Sequence, residues 1–153
     1  GELEARLAAL GAEALLDALD GLRRGTLAPE VQDHAAATLA PRLAKADGWM
    51  DWARPADELC RRVRALNPWP VCRCRLPEDG VLRVLRAAPA PGAGAPGTIL
   101  RHEAVGPVVA AGREAVRLTE VQPEGGRPMD GSAYLRGHDL PVGSCLPGAP
   151  PAS

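Results

Sequence analysis

Three histidines, four cysteines and a dense set of arginines are the side chains in this 153-residue chain with chemistry to offer. His34, His102 and His138 are scattered, with no acid or nucleophile at a telling spacing, and each reads as a surface histidine. Cys72 and Cys74 have the separation of half a metal site, but no second Cys or His pair completes four ligands. Two residues apart on a strand, they share one face and read as core filling. No glycine-rich phosphate fingerprint is present, and Gly125-Gly126 reads as a turn. The expected catalytic and metal sets are therefore empty, and no cofactor is expected in this chain.

What remains is arginine: Arg73, Arg75, Arg83, Arg86, Arg101, Arg113 and Arg117, all within one stretch of strand-like sequence. Such a patch attracts a nucleic-acid backbone through charge. Barrels that grip single strands also offer aromatic stacking surfaces, and here only Trp69 and Tyr134 are at hand. The expected contact is with phosphates and the shape of a folded RNA rather than with splayed bases. The competing reading is a surface kept soluble by arginine, since Lys45 is the sole lysine.

The overall charge of −1 hides an asymmetry. Residues 1–59 carry six cations against eleven acids, and residues 60–153 carry twelve arginines against eight acids. No apolar run approaches the ~20 residues of a membrane span, and the first residues lack a signal-peptide pattern. The cysteine spacing fits no secreted disulfide framework, so a reduced, cytoplasmic setting and no membrane partner are expected.

The elements that must position the arginines follow from periodicity. Leu3, Leu7, Leu10, Ala14 and then Leu15, Leu16, Leu19 and Leu22 predict an amphipathic helix over 2–24, with Gly25 as its cap. An apolar face at this point needs a body to pack on. Residues 25–53 read as a linker with short local structure, closed by Trp49 and Trp52. A second helix is predicted over 54–67, with Ala56, Leu59, Cys60, Val63 and Leu66 on one face. Asp57 and Glu58 stand four residues before Arg61 and Arg62, the favourable order for ion pairs, while Arg64 has no assured acid.

From Val71 the period becomes two. Strands are predicted over 71–76, 81–87, 97–100, 105–111 and 115–121, with an Asp79-Gly80 hairpin after the first. A short helix over 132–136, an extended stretch over 137–146 and a disordered tail over 147–153 complete the reading. The expected class is α+β, with a small oligonucleotide-binding-like (OB-like) β-barrel over 54–146.

Asn67-Pro68-Trp69-Pro70, after a helix ending Arg64-Ala65-Leu66, resembles the opening of the C-terminal domain of the methionyl-tRNA formyltransferase family. Residues 40–52, Pro96-Gly97-Thr98-Ile99-Leu100, residues 121–129 and Tyr134-Leu135-Arg136-Gly137 are similar to further motifs of that family, in order and with compatible spacing. Formyltransferases acting on sugars or folate share the Pro-Trp-Pro region, and the motifs around Gln122–Met129 and Leu135–Gly137 favour the tRNA enzyme. The resemblance departs at Val71-Cys72, where the family has Gly-Ala, at Gly112-Arg113-Glu114, where it has Gly-Asp-Gly, and at Gly126-Arg127, where it has paired lysines.

The resemblance implies formyl transfer from 10-formyltetrahydrofolate to methionyl initiator tRNA by a longer enzyme. Its catalytic residues would lie in a Rossmann-like domain of which 1–24 would be the last helix, so this chain alone would be inactive. The implied partners are initiator tRNA and that catalytic domain, with the chain a monomer. Lys45, Arg73, Arg75, Arg83, Arg86, Arg117 and Arg127 are the expected tRNA-facing residues. Asn67, Pro68, Trp69 and Pro70 are the expected structural anchor between helix and barrel. Two other readings stand beside this: the tail of a sugar or folate formyltransferase without a tRNA role, and a free-standing RNA-binding module.

Overall fold

The computed structural model describes residues 2–78 and 80–149. The chain divides into two units, residues 1–42 and 43–153.

In the first unit, α1 (Glu2–Arg24) runs unbroken through Gly11. Glu2 and Glu4 in its first turn and Arg23 and Arg24 in its last complement the helix dipole. Both arginines also pair with Asp20. Gly25, in the left-handed region, ends the helix, with Gly25 N–H donating to Leu22 O and Thr26 N–H to Gly21 O. All seven leucines of α1 are at least half exposed. After it comes irregular chain with one short 3₁₀ turn, His34–Ala36, capped by the Asp33 carboxylate.

The second unit begins earlier than residue 54. Gly48, Met50 and Trp52, read from sequence as the end of a linker, are buried in it. A 3₁₀ turn at Lys45–Gly48 precedes them. Helix α2 (Ala56–Ala65) starts after Pro55, whose missing N–H is not needed there. Its face of Ala56, Leu59, Cys60 and Val63, extended by Leu66, is buried against β2 and β5. Asp57 pairs with Arg61 as expected, at 2.8 Å. Glu58 does not pair with Arg62: it binds Arg54, and Arg62 donates to the Asp47 carbonyl.

Six antiparallel strands follow: β1 (Cys72–Arg75), β2 (Val81–Ala90), β3 (Ile99–Glu103), β4 (Gly106–Ala110), β5 (Ala115–Pro123) and β6 (Met129–Asp130). The spatial order is β1-β2-β5-β4-β3, with β6 pairing β5. Strand β2 continues to Ala90, past the predicted end and through Pro89. It is irregular around Arg86, and bulges of this kind bend a strand. Helix α3 (Gly131–Gly137) packs on β4 and β5. A Cβ on Gly131 would fall 2.1 Å from the Leu118 carbonyl oxygen, so only glycine lets the helix start this close to the sheet.

The core takes alternate residues: Cys72 and Cys74, Leu82 and Val84, Ile99, Val109, Val116, Leu118 and Val121, with Tyr134, Leu140 and Leu146. Burying an aliphatic side chain contributes about 1.5–3 kcal/mol. Ala90, Val108 and Ala115 form a separate buried cluster joined by Leu100.

The outer edges of β1 and β3 are covered. Met50 N–H donates to Arg73 O, and Arg75 N–H donates to Pro147 O. On β3, Ile99 N–H donates to Ser144 O, and Gly143 N–H to Ile99 O. Gly137 ends α3 and residues 138–146 are irregular rather than extended, while in the tail Gly148 lies against the Met50 carbonyl. Asp79 of the predicted hairpin and residues 150–153 of the predicted disordered tail lie outside the described residues.

Among the described residues two that are not glycine sit in the left-handed region, Val71 (φ 66°) and Glu114 (φ 62°). Both occupy positions where the resembled family carries glycine. A side chain there costs about 1–2 kcal/mol, more when β-branched. Val71→Gly and Glu114→Gly are each expected to raise the stability of the chain by up to about 1 kcal/mol, after the added freedom of the unfolded state is subtracted. Urea denaturation measures this, and a loss of stability in both variants would refute the strain.

Cys60, Cys72 and Cys74 are buried free thiols, and Cys145 is exposed. Burial pushes the Cys72 thiol up to about 11 and that of Cys74 to about 12. Both therefore stay protonated and unreactive in the folded chain. Iodoacetamide at pH 8 is expected to modify Cys145 alone among the four until denaturant is added, as read by mass spectrometry.

Candidate nucleic-acid interface

Among the described residues no group of three His, Cys, Asp or Glu side chains could hold a metal. Nor is any helix long and apolar enough to cross a membrane. Two of the histidines serve local structure: His102 Nε2 meets the Leu140 carbonyl at 2.8 Å, and the His138 ring stacks on Tyr134.

The arginines fall into two groups. One group is neutralised by acids. Arg86 pairs with Glu120 across β2 and β5 at 3.0 Å. Arg117 and Arg101 both bind Glu103, at 2.5 and 2.7 Å. The Arg117 and Arg101 guanidiniums hold the Glu103 carboxyl below its usual range, so it stays ionised and the triad persists at neutral pH. Arg54, Arg61 and Arg113 are likewise tied to Asp51, Glu58 or Asp57.

The other group forms a continuous track. Arg73 is directly opposite Arg83 in the β1–β2 register, and Arg83 is directly opposite Gln122 in the β2–β5 register. Cross-strand partners share a face, and neighbouring strands lie about 4.8 Å apart. Gln122 Nε2 donates to Gly126 O, which sets Arg127 beside the end of the row. At the other end Arg73 donates to the Lys45 carbonyl, and its guanidinium lies 4.6 Å over the Trp49 ring. Arg73, Arg83 and Gln122 therefore run in order across the sheet, with the backbone of Lys45 at one end and that of Gly126 and Arg127 at the other. Among the described residues Lys45, Arg83 and Arg127 make no ion pair, and the Arg73 guanidinium is bonded only to a carbonyl. Like charges directly opposite destabilise a strand pair. Stacking on Trp49 offsets part of that cost for Arg73.

The track thus gathers four of the seven residues singled out from sequence. Arg86 and Arg117 stand apart in acid pairs. Arg75 shares the Arg73 face of β1 and has its own interaction. Sequence reasoning overlooked Trp49, the shelf under Arg73, and Gln122, the link to Arg127. Arg64, exposed and without an ion pair among the described residues, was also left off.

The Asn67–Pro70 segment anchors differently from the expectation. Asn67 Nδ2 donates to the Leu85 carbonyl at 3.1 Å, Val71 N–H donates to Leu66 O, and Pro70 is buried. Trp69 is 53% exposed, so it is not a buried anchor. Asn67 and Pro70 on either side of it are held.

Residues 42–139 match the family model described as formyl transferase, C-terminal domain. Methionyl-tRNA formyltransferase of Pseudomonas syringae pv. syringae is 52% identical over 130 residues, which is 85% of this chain and 41% of that protein. Methionyl-tRNA formyltransferase of Pseudomonas paraeruginosa is 50% identical over 129 residues, with 84% and 41% covered. The chain spans about two fifths of the length of these relatives. A crystal structure of HypX from Aquifex aeolicus with tetrahydrofolic acid has a similar fold, with a TM-score of 0.59 and 21% identity over 82% of this chain and 22% of that one. With its sheet, its Asn-Pro-Trp-Pro loop and this match over 42–139, the chain belongs to the formyl transferase C-terminal domain family.

Proposed function

We propose that this chain is the tRNA-binding part of a methionyl-tRNA formyltransferase and that the track from Lys45 to Arg127 lies along the phosphates of initiator tRNA. The observation that carries the reading is the facing pair Arg73 and Arg83, which makes no ion pair among the described residues in a chain whose net charge is −1. A local cost of this kind is kept where a polyanion supplies the missing charge. The methionyl-tRNA formyltransferases at about half identity supply the substrate class. Arg86 and Arg117 hold the sheet together in this reading, and Arg64 is a further phosphate contact.

The sheet is proposed to close as an OB-like barrel. Residues 143–147 support this, because they bond to β3 and the strand entry before it on one side and to β1 on the other. The exposed leucine face of α1 is proposed to pack on the catalytic domain of the full-length enzyme, which would bind 10-formyltetrahydrofolate and carry out the transfer. Three buried reduced thiols suit a cytoplasmic setting.

Titration of the purified chain with initiator tRNA over a range of salt concentrations tests the interface. Binding is expected to fall steeply with salt, as counterion release requires. The double variant Arg83→Ala, Arg127→Ala is expected to weaken binding to all tRNAs alike and to reduce the slope of log K against log salt by about 1.5. Arg86→Ala is expected to leave that slope unchanged. A double variant that binds like the parent would sink the track.

A further inference from the structure

We infer that Trp69 is a stacking platform for an unpaired nucleotide of RNA. The inference rests on the RNA-binding reading above and adds to it a contact that charge alone does not supply. Tyr134 and Trp52 are buried, and Trp49 lies under Arg73, so Trp69 is the one indole left open among the described residues.

Its exposure follows from a built loop. Pro68 and Pro70 restrict the backbone on either side. The Leu66–Val71 hydrogen bond closes the loop, Asn67 ties it to Leu85, and Pro70 is buried beneath it. A large ring presented on a rigid mount loses little freedom on binding, which is what a stacking contact needs.

The electrostatics around it select the partner. Trp69 stands four residues before Arg73, so the two Cα atoms are at most about 14 Å apart. Arg83 faces Arg73, and Arg64 precedes the loop by two residues, exposed and without an ion pair among the described residues. An exposed aromatic residue flanked in the chain by cations without acid partners fits a base joined to phosphates better than it fits an apolar protein surface.

Binding of a hexauridylate and of tripolyphosphate to the parent chain and to Trp69 variants tests this. Trp69→Ala and Trp69→Leu are expected to lose about 5- to 100-fold in hexauridylate affinity, with tripolyphosphate binding unchanged. Trp69→Phe is expected to stay within a few fold of the parent. Thermal unfolding of each variant establishes that it is folded, and the leucine variant keeps apolar bulk should alanine disturb the loop. Hexauridylate affinity unchanged in the leucine variant, with salt-dependent tRNA binding intact, overturns the stacking contact alone. A parent chain that binds no RNA at low salt overturns both this contact and the tRNA reading.

Discussion

The register between β2 and β5 is the constraint on which the rest of the second unit depends. These are the two longest strands, and they lie at the middle of the sheet path. A one-residue slip between them would move every side chain on one strand to the opposite face. If β2 slipped, Leu82 and Val84 would leave the core and Arg83 would enter it. Helix α2 prevents this by burying its apolar face against both strands. The same packing that stabilises the fold therefore decides which arginines stand side by side. The basic track is a by-product of core alternation in β1 and β2 with cationic residues at the outward positions.

Much of the framework was legible in the sequence because it rests on local rules. The leucine spacing of α1, the buried face of α2 and the placement of Cys72 and Cys74 in the core all follow from period alone. The facing of Arg73 and Arg83 was not legible, because it depends on strand pairing rather than composition. Nor was the choice of acid partner. Glu58 had Arg62 at an ideal spacing and took Arg54, because Arg62 was drawn to the Asp47 carbonyl of the segment packed beside α2. Residues 43–53 looked like linker because Pro41 just before them, Gly48 and their charges hide the few residues that are buried. Trp69 looked like an anchor because tryptophan is usually buried, and only the loop geometry turns it outward.

Charge is distributed by pairing rather than by count. Acids sit where arginine serves structure, as in the Arg101–Glu103–Arg117 group and the Arg86–Glu120 pair. Among the described residues Arg73, Arg83 and Arg127 make no ion pair. A near-neutral chain can thus present a local cationic stripe without the self-repulsion of a high net charge. Hydrogen bonds to backbone carbonyls orient Arg73 without cancelling its charge.

The segment at residues 143–147 links strand edges far apart in sequence, Arg75 to Pro147 and Gly97 to Leu146. During synthesis, β1 would be made some seventy residues before the residue that caps its edge. Until then its unpaired backbone groups would remain open to pairing with other chains. Completion of the sheet also requires a long loop to close, which places the last stage of assembly late and makes it slow relative to helix formation. A nascent chain of this family is therefore most exposed to aggregation in the interval between translation of β5 and translation of residue 147, and this is the window in which a chaperone would have the most to protect.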